Sequence, residues 1–173
     1  MPSFREYRKD ALDMKSETMP PALFNTPLEA GLRALVILDA FAPEAFDLTT
    51  LSLLDYYLVH TGDAGGPDSV HPDLEAREGE YFVRRRLVED GAAMMVRSFL
   101  IHRIPHEKGI SFQACDTAGA MVDLMNTDYN RRLKRAAQWL ADQAAEKGLD
   151  KFLAGLKSGI DRWTLEIIGE PQQ

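Results

Sequence analysis

Glu80-Tyr81-Phe82-Val83-Arg84-Arg85-Arg86-Leu87-Val88 opens a charged helical stretch. It is followed by Phe99-Leu100-Ile101-His102-Arg103-Ile104, the turn Pro105-His106-Glu107-Lys108-Gly109, and Ile110-Ser111-Phe112-Gln113-Ala114-Cys115. Two short apolar runs around a turn that bears Pro and Gly read as a β-hairpin. A helix and then a hairpin is the order in which winged helix-turn-helix domains end. The sequence therefore predicts a mainly α protein with one short β-hairpin, a winged-helix-like core followed by C-terminal helices. A core of that kind either enters nucleic acid or serves as a docking block in a larger assembly.

Working outward, Thr26-Pro27-Leu28-Glu29 is a helix start: Thr26 can cap, Pro27 suits the first helical position, and Glu29 completes a capping box. The helix it opens carries Leu28, Leu32, Leu35, Val36 and Leu38, with Glu29 and Arg33 as a narrow polar stripe, so it reads as the central helix. Asp47 can cap a second helix through Leu48, Leu51, Leu54, Tyr57 and Leu58, with Gly62 as its stop. Residues 63–77 lack periodicity and predict a long ordered loop, a feature that often carries function. The third helix, about 79–97, is expected to bury Phe82, Val83, Leu87, Met94 and Met95. After the hairpin, Thr117 can cap a short helix through Ala120, Val122, Leu124 and Met125, before a break at residues 126–128. A fifth helix, about 129–147, sets Leu133, Ala136, Ala137 and Leu140 inward and ends at Gly148. The last places Phe152, Leu156, Ile160 and Trp163 in one apolar stripe. The expected division is a flexible arm at 1–22, a winged-helix-like domain at 23–127, a C-terminal helical extension at 128–169 and a tail at 170–173.

At 173 residues the chain suits one compact core, and its 45% hydrophobic and 27% charged content is that of a globular protein. No apolar run approaches the roughly 18 residues of a membrane span. The first residues lack the apolar core of a secretory signal, and a single cysteine, Cys115, excludes an internal disulfide framework. Both point to a reducing cytoplasm. The net charge of −7 is uneven: residues 17–96 hold 14 acids against 5 bases, while the segments on either side are each positive by one. A chain built to grip phosphates presents a basic stripe instead, because Lys and Arg supply the affinity by displacing counterions.

Two basic clusters could nevertheless meet nucleic acid or a partner. Arg84, Arg85 and Arg86 lie early in the third helix, where Glu80, Glu89 and Asp90 stand four residues from them and dilute their potential. Arg131, Arg132, Lys134 and Arg135 begin the fifth helix with Asp128 as the nearby acid, a solvated face flanking Leu133. Asp55, His60, Asp63 and His71 are of metal-ligand type, but their spacing matches no His-Glu-x-x-His pattern. His60 reads better as a helix-end residue and His71 as a loop packer before Pro72. Cys115 closes an apolar strand and reads as a small buried hydrophobe. No Gly-x-Ser-x-Gly elbow is present, and Gly62, Gly65 and Gly66 lack the Lys-Ser/Thr of a nucleotide loop. The expectation is a chain with no catalytic residues, no metal and no cofactor.

The order of motifs from Asn25-Thr26-Pro27-Leu28-Glu29 through Asp55-Tyr56-Tyr57-Leu58-Val59-His60-Thr61-Gly62-Asp63, Gly66-Pro67, Ser69-Val70-His71-Pro72 and Val83-Arg84-Arg85 resembles a known family. It is similar to the middle components of bacterial ABC-three-component systems, in particular the second type, over about residues 24–139. The resemblance implies a small winged-helix-like protein that accompanies an SMC-like ABC ATPase and an effector, often a nuclease, in Lamassu-like anti-phage defence. It implies an adaptor bound in a hetero-complex, with DNA contact arising through the complex. Against it stand a free-standing winged-helix transcription regulator, and a metal-dependent hydrolase built on the His60–His71 loop.

Overall fold

The computed structural model describes residues 26–73 and 77–169, without the side chains of residues 77–80, 82 and 163–169. The expected arm and tail, and the burial of Phe82 and Trp163, fall outside the described residues.

The first helix, α1 (Pro27–Ala40), starts where the sequence says it should. The Glu29 amide donates to Thr26 Oγ1 at 3.2 Å while the Thr26 amide donates back to the Glu29 carboxylate at 3.5 Å. Each cap group satisfies an amide that the helix itself leaves unpaired. Thr26→Ala is expected to cost about 1 kcal/mol, read as a lowered urea midpoint with an unchanged slope. The two-residue strand β1 (Phe46–Asp47) leads into α2 (Leu48–Val59), capped by Asp47, which accepts from the Thr50 amide at 2.7 Å. Residues 51–59 of α2 are buried on every side, as expected of a helix enclosed by others. It ends at His60, ahead of the expected Gly62 stop; Gly62 lies within a 3-10 turn, Thr61–Ala64, that folds the chain back.

α3 (Arg77–Arg97) is followed by β2 (Ile101–His106) and β3 (Gly109–Ala114), so helix and hairpin form as read. The hairpin is part of a three-stranded antiparallel sheet in the order β1-β3-β2, with Phe46 opposite Phe112 and Asp47 opposite Ser111. A strand of two residues has no periodicity to detect, and only its pairing with β3 defines it. A short α4 (Ala118–Leu124) follows. Then come α5 (Asp128–Lys147), capped by Thr127 accepting from the Asn130 amide, and α6 (Leu149–Gly169), separated from α5 by Gly148 at φ +86°.

α1 is central, as read: α2, α3, α4, α5 and β3 all pack on it. Leu133, Ala136, Ala137 and Leu140 of α5 and Phe152, Leu156 and Ile160 of α6 are buried. Several inward assignments are overturned. Val83 is exposed because the face of α3 toward the core is rotated from the one that hydrophobicity picks out, and Leu28 is exposed because it lies in the first turn of α1, ahead of the buried Leu35, Val36 and Leu38. In α3 the buried stripe is Arg84, Val88, Ala92 and Met95; in α1 Arg33 belongs to the core rather than to a polar stripe. Thr117 precedes α4 but its hydroxyl donates to the Phe99 carbonyl instead of capping. Cys115 lies one residue beyond β3 and is half-buried, its thiol pushed up by burial and by Asp116.

Candidate functional site

Asp55 sits in the middle of α2 with no exposure, and the two guanidiniums that face it come from α1 and α3. Arg33 grips it with two bonds, Nε to Oδ1 at 2.7 Å and Nη2 to Oδ2 at 3.3 Å, while Arg84 Nη1 reaches Oδ2 at 3.0 Å. Both arginines are 1% exposed. Burial by itself pushes the Asp55 carboxyl up, but the charges and hydrogen bonds of Arg33 and Arg84 outweigh it and hold the group below the usual carboxylate range. Burial lowers the Arg33 guanidinium, and Asp55, with smaller help from Tyr129 and Glu29, more than restores it.

Around this triad lies a shell of the loop residues. Arg84 Nη2 lies 3.5 Å from His71 Nδ1, to which a guanidinium can only donate. His71 Nε2 and the Tyr129 hydroxyl share a hydrogen bond of 2.9 Å, with the two rings stacked. Tyr129 belongs to the first turn of α5, and burial raises its hydroxyl. His60 lies against Tyr56 and meets His71 edge-on, while the Tyr56 hydroxyl donates to Asp63 at 2.7 Å. The loop backbone is fixed as well: the His71 amide donates to the Val59 carbonyl and the Gly62 amide to Ser69 Oγ. The loop residues up to His71 thus form the lid of the cluster. Gly66 approaches Trp139 so closely that an added Cβ would lie 2.6 Å from the ring. Gly66→Ala is expected to lower the melting temperature by displacing either the loop or the indole, and Gly66→Ala with Trp139→Leu to recover much of it.

Asp55 and His71 are thus joined through Arg84, while His60 meets His71 by a ring contact and Asp63 accepts from Tyr56, an arrangement unlike a ligand set. Among the described residues no group of three or more His, Cys, Asp or Glu is placed to hold a metal ion. What the arrangement does chemically is clamp: one carboxylate joins three helices, and His71 and Tyr129 extend the join to a fourth. The sequence reading missed it. Its signal was present as an Asp inside an otherwise apolar helix, and as an Arg in register with Val88, Ala92 and Met95, where a buried charge demands a partner.

The basic residues divide accordingly. Arg84 is a core residue paired with Asp55, a partner on another helix. Arg85 and Arg86 are exposed, Arg85 donating to Thr49 Oγ1 at 2.8 Å. In the second cluster Arg131 bonds the Asn126 carbonyl and pairs with Asp128, and Arg132 holds the Ser69 carbonyl at 2.8 Å. Lys134 is half-buried and reaches the Val122 carbonyl at 3.3 Å, while Arg135 is exposed beside Pro67 and Asp68. Three of these four side chains therefore tie α5 to preceding segments. Among the described residues no helix is long and apolar enough to cross a membrane.

No curated protein and no solved structure matches the chain closely enough to count as a relative. A family model does: the one described as ABC-three component (ABC-3C) system Middle Component 2 matches residues 23–166. That span includes all the members of the Asp55 network and most of the motifs that surround it. The chain belongs to the Middle Component 2 family of ABC-three-component systems.

Proposed function

We propose that this chain is a non-catalytic adaptor, bridging an SMC-like ABC ATPase and an effector subunit, often a nuclease, in a Lamassu-like anti-phage complex of the bacterial cytoplasm. The observation that carries the reading is the family match over residues 23–166, since a middle component of such a system works with protein partners. The clamp supports it. Asp55 and His71 are committed to holding helices together, leaving a block suited to docking. The order helix, short strand, helix, helix, hairpin and the sheet order β1-β3-β2 support a winged-helix-like core at residues 23–127, extended by helices at 128–169.

Co-expression of the full chain with the products of its neighbouring genes tests the proposal. An ATPase and an effector that co-purify with it, and that separate when the chain is omitted, are the expected result. Absence of an adjacent SMC-like ATPase gene, or failure of all components to associate, defeats it. A second reading, a free-standing DNA-binding regulator, is favoured by the exposure of Arg85 and Arg86. It requires duplex binding by the isolated protein that falls steeply with salt, whereas an adaptor binds duplex weakly until assembled.

A further inference from the structure

Between the end of α5, α6 and the turn that follows α2 lies a cavity of about 390 Å³, a size suited to a small ligand. Its charged lining is three cations and one carboxylate: Lys147, the last residue of α5, Lys151 and Arg162 of α6, and Asp63. In a chain of net charge −7 such a gathering runs against the composition. Among the described residues the ion pairs are those of Arg33 and Arg84 with Asp55 and of Arg131 with Asp128, so none of the three cations is neutralised by a carboxylate in contact. The Asp63 carboxylate already accepts from the Tyr56 hydroxyl. Cations that face one cleft add their fields and draw an anion into it.

The positive charge stands at both ends of the cavity. Lys147 Nζ lies 6.0 Å from the centre of the Phe152 ring, which keeps the ammonium at the Lys151 end. At the other end the Tyr57 hydroxyl donates to the Leu156 carbonyl at 2.9 Å. Burial and Asp63 raise that phenol and the Arg162 charge opposes them, as a guanidinium near the hydroxyl must. Lys151 and Arg162 are roughly 16 Å apart along the helix axis. A ligand that meets both ends therefore carries negative charge at more than one place.

The floor between them is kept open by a glycine that the fold does not require. Gly159 is needed for packing, since a Cβ there would lie 2.6 Å from the Tyr57 hydroxyl oxygen. Gly155 is not: a Cβ built on it meets nothing within 4 Å, although it stands inside α6, where glycine is disfavoured relative to alanine. A side chain at Gly155 would stand in the cavity that it lines. Stability forgone at the floor of a charged cavity is the trade that binding sites make.

We propose that this cavity binds a small organic ligand bearing two or more phosphates, with Lys147, Lys151 and Arg162 donating to phosphate oxygens and Gly155 leaving room for them. Charge-assisted bonds of this kind are the strong ones. A duplex suits the surface less well, because the exposed Asp150 and Asp161 adjoin Lys151 and Arg162. The site is independent of the adaptor reading, and its test involves no other protein.

The full chain is titrated at low salt with ATP free of magnesium, with inorganic tripolyphosphate and adenosine as competitors and a short single-stranded oligothymidylate as a separate probe. ATP is expected to bind, tripolyphosphate to displace it and adenosine not to. Lys151→Met combined with Arg162→Met is expected to weaken ATP binding at least tenfold. Gly155→Leu is expected to weaken it as much without lowering the melting temperature, and Lys157→Met, on α6 but outside the cavity, to bind within about threefold of wild type. A wild type that binds neither ATP nor tripolyphosphate overturns the proposal. So does equal weakening by Lys157→Met, which would make the attraction a diffuse one, or displacement of ATP by adenosine. Wild-type affinity in Gly155→Leu moves the ligand out of this cavity. Tighter binding of the oligothymidylate than of ATP, lost in the same variants, assigns the site to nucleic acid and overturns the small ligand.

Discussion

Asp55→Ala is expected to destabilise the chain by about 3–5 kcal/mol, the cost of removing one member of a buried ion pair and leaving the other without compensation. The figure lies at the upper end because two guanidiniums, not one, face the lost carboxylate. Arg84→Met is expected to cost less, since it leaves the two-bond Arg33–Asp55 pair in place; Arg33→Met falls between. Replacing all three by Met, Leu and Met removes both the charges and the demand for partners. The triple variant is therefore expected to recover most of the stability lost in Asp55→Ala. Urea midpoints of the four variants check this order. A triple variant no more stable than Asp55→Ala would mean that the shell of His71 and Tyr129, rather than the ion triad, sets the packing of the four helices.

The triad also fixes the sign of the acid response. Asp55 is held below its unfolded value of about 3.9. Its contribution is therefore complete above that pH and is lost as the pH falls through the lower, folded value. Stability of the wild type is expected to fall steeply below about pH 4, and that of the apolar triple variant to fall less over the same range. Parallel acid profiles for the two proteins would remove Asp55 from the account.

Gly91→Ala is expected to have the second large effect, about 3 kcal/mol or more, at the top of the range for overpacking. α1 and α3 cross backbone to backbone at Gly31 and Gly91. A Cβ built on Gly91 would lie 2.4 Å from the Gly31 nitrogen and 2.5 Å from the Pro27 carbonyl oxygen, and one on Gly31 would lie 2.7 Å from the Gly91 oxygen. These neighbours are main-chain atoms of two helices, so no rotamer change makes room, and the helices must separate. Separation would also draw Arg33 and Arg84 away from Asp55, so the two effects are coupled. Gly155 provides the contrast: it lies in α6, and a Cβ there meets nothing within 4 Å. Gly155→Ala is expected to stabilise by about 0.4–1 kcal/mol through the unfolded chain. Thermal melts of the two variants should move in opposite directions. A Gly91→Ala protein as stable as the wild type would show that the crossing can widen without cost.

The arginines show how far the sequence could be read. Arg84, Arg85 and Arg86 look alike as a string, and pairing each with an acid four residues away on the same helix is the natural local choice. Helical geometry then sends them in different directions: Arg84 turns inward to Asp55, while Arg85 and Arg86 stay at the surface. The same rotation exposes Val83, which hydrophobicity alone would bury. The loop from His60 to His71 was recognised as significant by its length and by its motif. Its role as a lid became visible only from the Val59, Ser69 and Tyr129 contacts.

By itself the sequence determined where α1, α2 and α5 begin and where α5 ends, but not the end of α2 or the start of α4. Thr26 with Glu29, Asp47 with Thr50, Thr127 with Asn130 and the break at Gly148 all act over four residues or fewer, and those contacts form wherever the chain turns helical. It also determined the helix-then-hairpin order, and the motifs from Thr26 to Arg85 that carry the middle-component resemblance. Tertiary structure alone decided which faces turn inward, the Phe46–Phe112 strand pairing, the Gly31–Gly91 crossing, and the meeting of Arg33 and Arg84 on Asp55. Each of these joins segments more than 20 residues apart, and such contacts become favourable only after the chain has packed and the charge has lost its water.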